Sequence, residues 1–111
     1  MIQEIARLDV TPGEEAAFEA GATAAVALFR RAAGCHAMQL SRSHEQAGRY
    51  WLIVSWETVE AHLAFRETAD FSEWRRLVGG HFAGPPQVEH GIPTQAGFSN
   101  IVSATRQPHV S

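Results

Sequence analysis

The distribution of apolar residues over the first half of the chain predicts a strand, a helix and a hairpin. Residues 2–10 alternate between apolar and polar side chains, as a strand with one buried face does. Residues 11–14 form a helix start, with Thr11 as the N-cap and Glu14 as a capping-box carboxylate. Apolar side chains then recur every three to four residues and predict a helix to about Ala33, ended by Gly34. Two strands follow, over residues 35–43 and 49–56, joined by a turn.

The second half of the chain predicts two further helices and a last strand. The first helix starts at Thr58, a break falls near residues 68–69, and the second helix has Asp70 as its N-cap. Residues 87–92 form the last strand. The order β-α-β-β-α-β predicts a ferredoxin-like α+β fold with an antiparallel sheet over residues 1–92. Residues 93–111 are expected to form a tail, in which three apolar side chains could dock on a partner subunit: Phe98, Ile101 and Val102.

The third strand is apolar on both of its faces. Residues 50–54 read Tyr-Trp-Leu-Ile-Val, whereas an antiparallel strand with one face in water alternates between apolar and polar residues. A single layer of helices covers only one face of a sheet. We therefore expect a second copy of the chain to cover the other face, in a homodimer.

Composition and charge exclude several classes of partner. The net charge is −3, which provides no basic field for a nucleic acid or an anionic membrane. No stretch approaches the roughly 18 apolar residues of a membrane span, and the N-terminus does not have the pattern of a signal peptide. The single cysteine cannot form an internal disulfide and fits a reducing compartment. A cytoplasmic protein without nucleic-acid or membrane partners is the expectation.

Three segments resemble one known family. Residues 50–58 (Tyr-Trp-Leu-Ile-Val-Ser-Trp-Glu-Thr), 64–74 (Ala-Phe-Arg-Glu-Thr-Ala-Asp-Phe-Ser-Glu-Trp) and 85–90 (Pro-Pro-Gln-Val-Glu-His) resemble the antibiotic biosynthesis monooxygenase family. The resemblance implies a dimeric α/β barrel, in which two sheets pack face to face and each protomer holds a pocket between its sheet and its helices. It also implies oxidation of polycyclic phenols to quinones with O₂, without a metal or flavin. Relatives include quinol oxygenases and haem-degrading enzymes.

Oxygenation of this kind requires an acidic phenol, a group that favours its anion, and a pocket poor in water. The Ala-rich face of the first helix is expected to leave room for a flat aromatic ligand against the sheet. Arg66 is a candidate anchor for a phenolate or carboxylate, as are Arg75 and Arg76. The candidate lining residues are Trp56, Phe65, Trp74 and Phe82. These aromatic side chains would also suit an ordinary hydrophobic core.

Histidines are the candidate catalytic bases. His36 shares a strand face with Met38 and Leu40, so we expect it to point inward. His62 lies on the helix one turn before Arg66, at the pocket mouth or, as the favoured alternative, in solvent. His81 follows two glycines in a loop that could close over the pocket.

The remaining histidines and the haem-degrading relatives add two expectations. His90 is expected at an interface rather than in catalysis. No HxH or HExxH spacing occurs, so the sequence predicts no metal site and no cofactor. Haem-degrading relatives use Asn, Trp and His where this chain has Ala6, Phe65 and Arg75. That difference argues against haem chemistry of that type, while another ligand such as His81 stays open.

The sequence therefore favours a cofactor-independent monooxygenase that acts on a phenolic or quinol-like aromatic. Two alternatives remain open, because a fold does not determine a function. The first is a non-catalytic module that binds a small ligand or has a regulatory role. The second is an enzyme like an aromatic polyketide cyclase, which would use the same pocket without O₂.

Overall fold

Four antiparallel strands form one sheet, in the order β2-β3-β1-β4. The order of strands and helices along the chain is the predicted one, and the ferredoxin-like α+β fold is confirmed. The computed structural model describes residues 1–101. Its strands are β1 (Ile2–Asp9), β2 (Cys35–Arg42), β3 (Arg49–Trp56) and β4 (Gln87–Gly91).

Alternation along the two central strands determines which face of the sheet is buried. The even-numbered residues of β1 and β3 from Glu4 to Leu8 and from Tyr50 to Trp56 are buried against the helices. On the opposite face, Ile5 and Ile53 are half-buried and Trp51 is 39% exposed. The sheet thus has one covered face and one face that retains apolar exposure.

The first helix, α1 (Glu15–Arg30), is shorter than predicted at both ends. No side chain caps its N-terminus; the backbone carbonyl of Thr11 accepts from the Glu14 N–H instead, so the predicted capping box is wrong. The helix ends at Arg30 because a tight turn follows it. Gly34 adopts a φ of +78°, and a Cβ there would lie 2.8 Å from the Cβ of Ala61. Gly34 therefore permits both the turn and the close approach.

Two short helices, α2 (Val59–Phe65) and α3 (Ala69–Val78), follow β3 and are separated by the predicted break. Threonine hydroxyls cap both: Thr58 accepts from the backbone N–H of residue 61, and Thr68 from that of residue 71. The prediction of Asp70 as N-cap is wrong, because Asp70 lies inside the first turn and pairs with Arg31. A single 3₁₀ turn, Gly79–His81, ends α3.

The helices contribute to one core on the covered face of the sheet. Phe18 of α1 packs on Tyr50 and Phe82, and Phe29 packs on Phe65 and Trp74, with ring centroids 4.7–6.0 Å apart. These four contacts fill the volume between α1, the sheet and α3 with aromatic rings.

Beyond Gly91 the described part of the chain forms no helix or strand, and Ile92, Phe98 and Ile101 are exposed. Val102, the third residue of the predicted docking tail, lies outside the described residues. None of the helices within residues 1–101 has the length and apolar character needed to cross a membrane.

Candidate functional site

A cavity of about 440 Å³ lies between the sheet and the α2–α3 helices. Ala6, Leu52 and Val88 form part of its wall on the sheet, and Trp74 and Phe82 form part of the opposite wall. No residue of α1 lines it. The prediction of free space beneath α1 is wrong, because bulky aromatic side chains fill that volume. The cavity's size is nevertheless ordinary for a small-molecule site.

Glu4 is a buried carboxyl group in the wall of this cavity, 7% exposed. The indole N–H of Trp56 donates to its Oε1 at 2.9 Å, and Nε2 of His62 lies 3.2 Å from the same oxygen. Its Oε2 has no hydrogen-bond partner within residues 1–101. Every fully buried side-chain nitrogen or oxygen of that range does have a partner, so Oε2 is not fully buried. Oε2 is therefore the oxygen that remains open to the cavity.

His62 is buried beside Glu4, so the favoured prediction that it faces solvent is wrong. Its ring stacks on Trp56, with centroids 5.2 Å apart and planes inclined by 16°. Its Nδ1 lies 2.8 Å from Nε2 of His90, so one of these nitrogens donates to the other. Both ring nitrogens of His62 are thus engaged by neighbouring side chains, and the histidine is held in one orientation.

The sheet register explains why these groups meet. Glu4 pairs directly with His90 across β1 and β4, and Ile2, two residues earlier, pairs with Trp56 across β1 and β3. Residues at these positions project from the same face, because side chains two residues apart on a strand point the same way. α2 then brings His62 over this face from above.

Burial shifts the pKa values of the two titratable groups in opposite directions. Desolvation raises the pKa of the Glu4 carboxyl, and the Trp56 hydrogen bond and the positive charge of Arg66 oppose that rise. Desolvation, together with the charges of the neighbouring His90 and Arg66, lowers the pKa of His62 to about 4. His62 is therefore neutral at pH 7, and Glu4 is a stronger base than an exposed carboxylate.

The sequence profile of the antibiotic biosynthesis monooxygenase family matches residues 1–77 of this chain. The match covers well over half of the 111 residues. The chain belongs to this family. The resemblance predicted from the sequence is thereby confirmed.

Two solved structures of the family have the same fold as this chain, and one curated sequence is similar to it. A structure from Bordetella bronchiseptica that carries the family name is 56% identical, with a TM-score of 0.82, over 84% of this chain and 96% of that one. Another of that name, from Caulobacter crescentus CB15, is 28% identical with a TM-score of 0.73 over 80% of this chain and 85% of that one. The uncharacterised Bacillus subtilis protein YczJ is 33% identical over 91 residues, which are 81% of this chain and 96% of YczJ.

The candidate lining residues from the sequence are divided between two layers of the structure. Arg66, Trp74 and Phe82 line the cavity, as does His62. Trp56 and Phe65 lie behind this lining in the core, where their rings pack together with centroids 5.4 Å apart. Trp56 still reaches the site through its hydrogen bond to Glu4.

His36 does not point inward, so that prediction is wrong. Cys35 and Ala37 pair with successive residues of β3, which makes His36 the extra residue of a β-bulge. The bulge reverses the alternation, so that Met38 faces the core while the side chain of His36 is 47% exposed, with Glu57 at 3.6 Å.

His81 also lies away from the cavity lining. Its Nδ1 is 2.8 Å from Oε1 of Glu14, and its backbone carbonyl accepts from the Thr11 N–H. These contacts join the 3₁₀ turn to the start of α1. Within residues 1–101 no group of three or more His, Cys, Asp and Glu side chains has the arrangement of a metal site.

Glu4 and the contact of His90 with His62 are the parts of the site that the sequence did not predict. Glu4 carries a signal in retrospect, because it shares its strand face with Ile2, Ala6 and Leu8. A lone carboxyl group on the buried face of a strand is unusual. His90 carries no comparable signal, since its neighbour His62 comes from an element 28 residues away.

Proposed function

We propose that the chain is a cofactor-independent monooxygenase that oxidises a phenolic or quinol-like aromatic with O₂. Family membership supports the class of reaction. The observation that carries the proposal is Glu4: a buried carboxyl group, oriented by Trp56 and His62, with one oxygen open to a partly enclosed cavity that also has aromatic and aliphatic walls. Such a group is suited to remove the proton of a phenol.

Glu4 is the general base in this proposal. Its Oε1 is held by the Trp56 indole, which leaves Oε2 to accept the proton of the substrate hydroxyl. A base is most effective when its pKa lies near the working pH, and burial moves the pKa of Glu4 in that direction. The neutral His62 ring beside it does not compete for the proton at pH 7.

Arg66 stabilises the phenolate that results. It lines the cavity, and its charge acts on both Glu4 and His62. The phenolate transfers one electron to O₂, and the resulting radical pair combines to form a C–O bond at the ring carbon para to the hydroxyl. For a phenol with hydrogen at that carbon, the O–O bond then breaks and the carbon loses its hydrogen, so that phenol and O₂ give a para-quinone and water. A hydroquinone, which already has oxygen there, gives two electrons and two protons to O₂ and yields the quinone and H₂O₂.

O₂ uptake with a panel of hydroquinones and anthrones tests the proposal. We expect substrate-dependent uptake by the wild type and a loss of about 10²–10⁴-fold in Glu4→Gln, the range for removal of a general base. Glu60→Gln, an exposed carboxylate on α2, and His36→Ala are the matched controls and keep wild-type rates. No uptake with any substrate would overturn the proposal. Turnover that persists without O₂ would instead indicate cyclase chemistry.

We further propose that two copies pair through the open face of the sheet. Ile5 and Ile53 are cross-strand partners at the centre of that face, and Trp51 lies beside them opposite Arg7. A patch of this kind on the middle strands is the surface a second sheet would cover.

A further inference from the structure

The cavity holds more positive than negative charge. The charged residues of its lining are Glu4, Arg66 and Arg75, and the ring of His62 beside them is neutral at pH 7. Within residues 1–101, five arginines pair with carboxylates: Arg7, Arg31, Arg42, Arg49 and Arg76. Of the three described arginines without such a partner, two line this cavity, and the third, Arg30, lies elsewhere.

A simple phenol does not balance these charges. With Glu4 ionised, the two guanidinium groups leave the empty cavity one positive charge in excess. When a phenol gives its proton to Glu4, the negative charge moves from the carboxylate to the phenolate and the excess is unchanged. Arg66 and Arg75 are both exposed and keep free N–H donors, so a ligand with a second anionic group would gain a charge-assisted, hydrogen-bonded pair that a simple phenol cannot form.

We propose that the natural ligand is a hydroxylated aromatic acid, whose hydroxyl faces Glu4 and whose carboxylate is bound by Arg75. This proposal rests on the proposed function, since it places a phenolic ligand in the same cavity. Glu4 and Arg66 already form the hydroxyl end, because the charge of Arg66 acts directly on Glu4. Arg75, on α3 and exposed at the solvent side, is left for the second anion. A guanidinium group binds a carboxylate through two parallel N–H donors.

Affinity for three matched ligands tests the proposal without any turnover. They are a dihydroxyanthraquinone, the same compound with one ring carboxylate, and its neutral carboxamide. Binding is measured by quenching of tryptophan fluorescence, with Trp74 in the cavity wall as a reporter. We expect the carboxylate to bind about tenfold more tightly than the other two at low salt, and the preference to shrink as salt is raised.

Substitution of single arginines shows whether Arg75 causes the preference for the carboxylate ligand. Arg75→Gln is expected to reduce affinity for the carboxylate about tenfold and to leave affinity for the carboxamide unchanged. Arg30→Gln, which removes an unpaired arginine outside the cavity, is the matched control and keeps the preference.

The possible results separate the two proposals. Equal affinity for the three ligands, or a preference that survives in Arg75→Gln, would overturn the assignment of an aromatic acid and leave the monooxygenase proposal standing. Failure of all three ligands to bind would count against both.

Discussion

Burial gives Glu4 and His62 opposite responses to pH. The folded state disfavours the charged form of each group, so it holds Glu4 protonated and His62 unprotonated over a wider range than the unfolded chain does. In the proposed mechanism this is useful, since Glu4 accepts a proton at neutral pH while His62 stays neutral and keeps its orientation.

The titration of His62 predicts a loss of stability in acid. Its pKa is about 4 in the folded protein and 6.5 when unperturbed. Between pH 6.5 and 4 the unfolded chain therefore binds a proton that the folded protein does not, and the free energy of unfolding falls as the pH is lowered. Above pH 6.5 this contribution is constant. We expect His62→Gln to remove a decline on the order of 2 kcal/mol between these pH values.

Urea unfolding followed by tryptophan fluorescence at pH 7, 6, 5 and 4 measures this difference. The comparison is between the slopes of the free energy of unfolding against pH, so a loss of stability in His62→Gln that is equal at every pH does not affect it. His36→Gln is the control, because the exposed ring of His36 lies at the surface. Parallel curves for the wild type and His62→Gln would contradict the assigned pKa shift.

For single residues, the sequence indicated which side chains are candidates better than it indicated where those side chains point. Arg66, Trp74 and Phe82, which the sequence put forward as an anchor and lining residues, lie at one cavity. The directions of His36 and His62 depended on a one-residue bulge and on the rotation of a seven-residue helix. Both are set by tertiary packing, which a local pattern does not contain. The buried role of Glu4 likewise depends on Trp56, which is 52 residues away in the chain.

Helices α1 and α3 pack closely at Gly21, and this contact positions the helix that carries Trp74 and Arg75. A Cβ at Gly21 would lie 2.5 Å from the backbone carbonyl oxygen of Leu77, which is too close for any real contact. Because the neighbouring atom belongs to the backbone, the contact can be relieved only by moving α3 away from α1.

Gly21→Ala is therefore expected to destabilise the protein by about 1–3 kcal/mol. In an exposed helix the same change would stabilise by up to about 1 kcal/mol, so the sign of the effect identifies the contact. Gly79→Ala is the matched control, since a Cβ there meets nothing within 4 Å and the residue has a helical φ of −62°. Urea denaturation of the three proteins measures the effect. Equal stability of Gly21→Ala and the wild type would rule out the close packing.

The pattern of apolar positions predicted the strands more accurately than the helix ends. β3 begins and ends at the predicted residues, because its alternation and the turn before it are both local signals. The errors at Thr11 and Asp70 concern N-caps, where several neighbouring residues could accept the same N–H. The error at Ala33 concerns the end of α1, which depends on the tertiary contacts of the turn, such as the approach of Gly34 to Ala61.

For the whole molecule, the third strand links the fold to the proposed dimer. The sequence correctly indicated that β3 has two apolar faces, and the helices cover the face that carries Leu52 and Val54. The other face, with Ile53 and the exposed Trp51, is left without a helical cover within residues 1–101. An exposed apolar face on central strands is a surface for association rather than for solvent.

The dimer proposal predicts that a charge on this face separates the subunits. Trp51→Glu places a carboxylate where two apolar faces would meet, so we expect the mass in light scattering to fall from twice 12.2 kDa to 12.2 kDa. Trp51 is already 39% exposed in one chain, so the fold should tolerate the change, and circular dichroism checks that it does. Leu63→Glu is the matched control: Leu63 is 46% exposed but lies on α2, away from the open sheet face, so this variant should remain dimeric. A wild type that stays at 12.2 kDa across a wide concentration range, or a Trp51→Glu variant that keeps the wild-type mass, would mean that the open face serves another purpose.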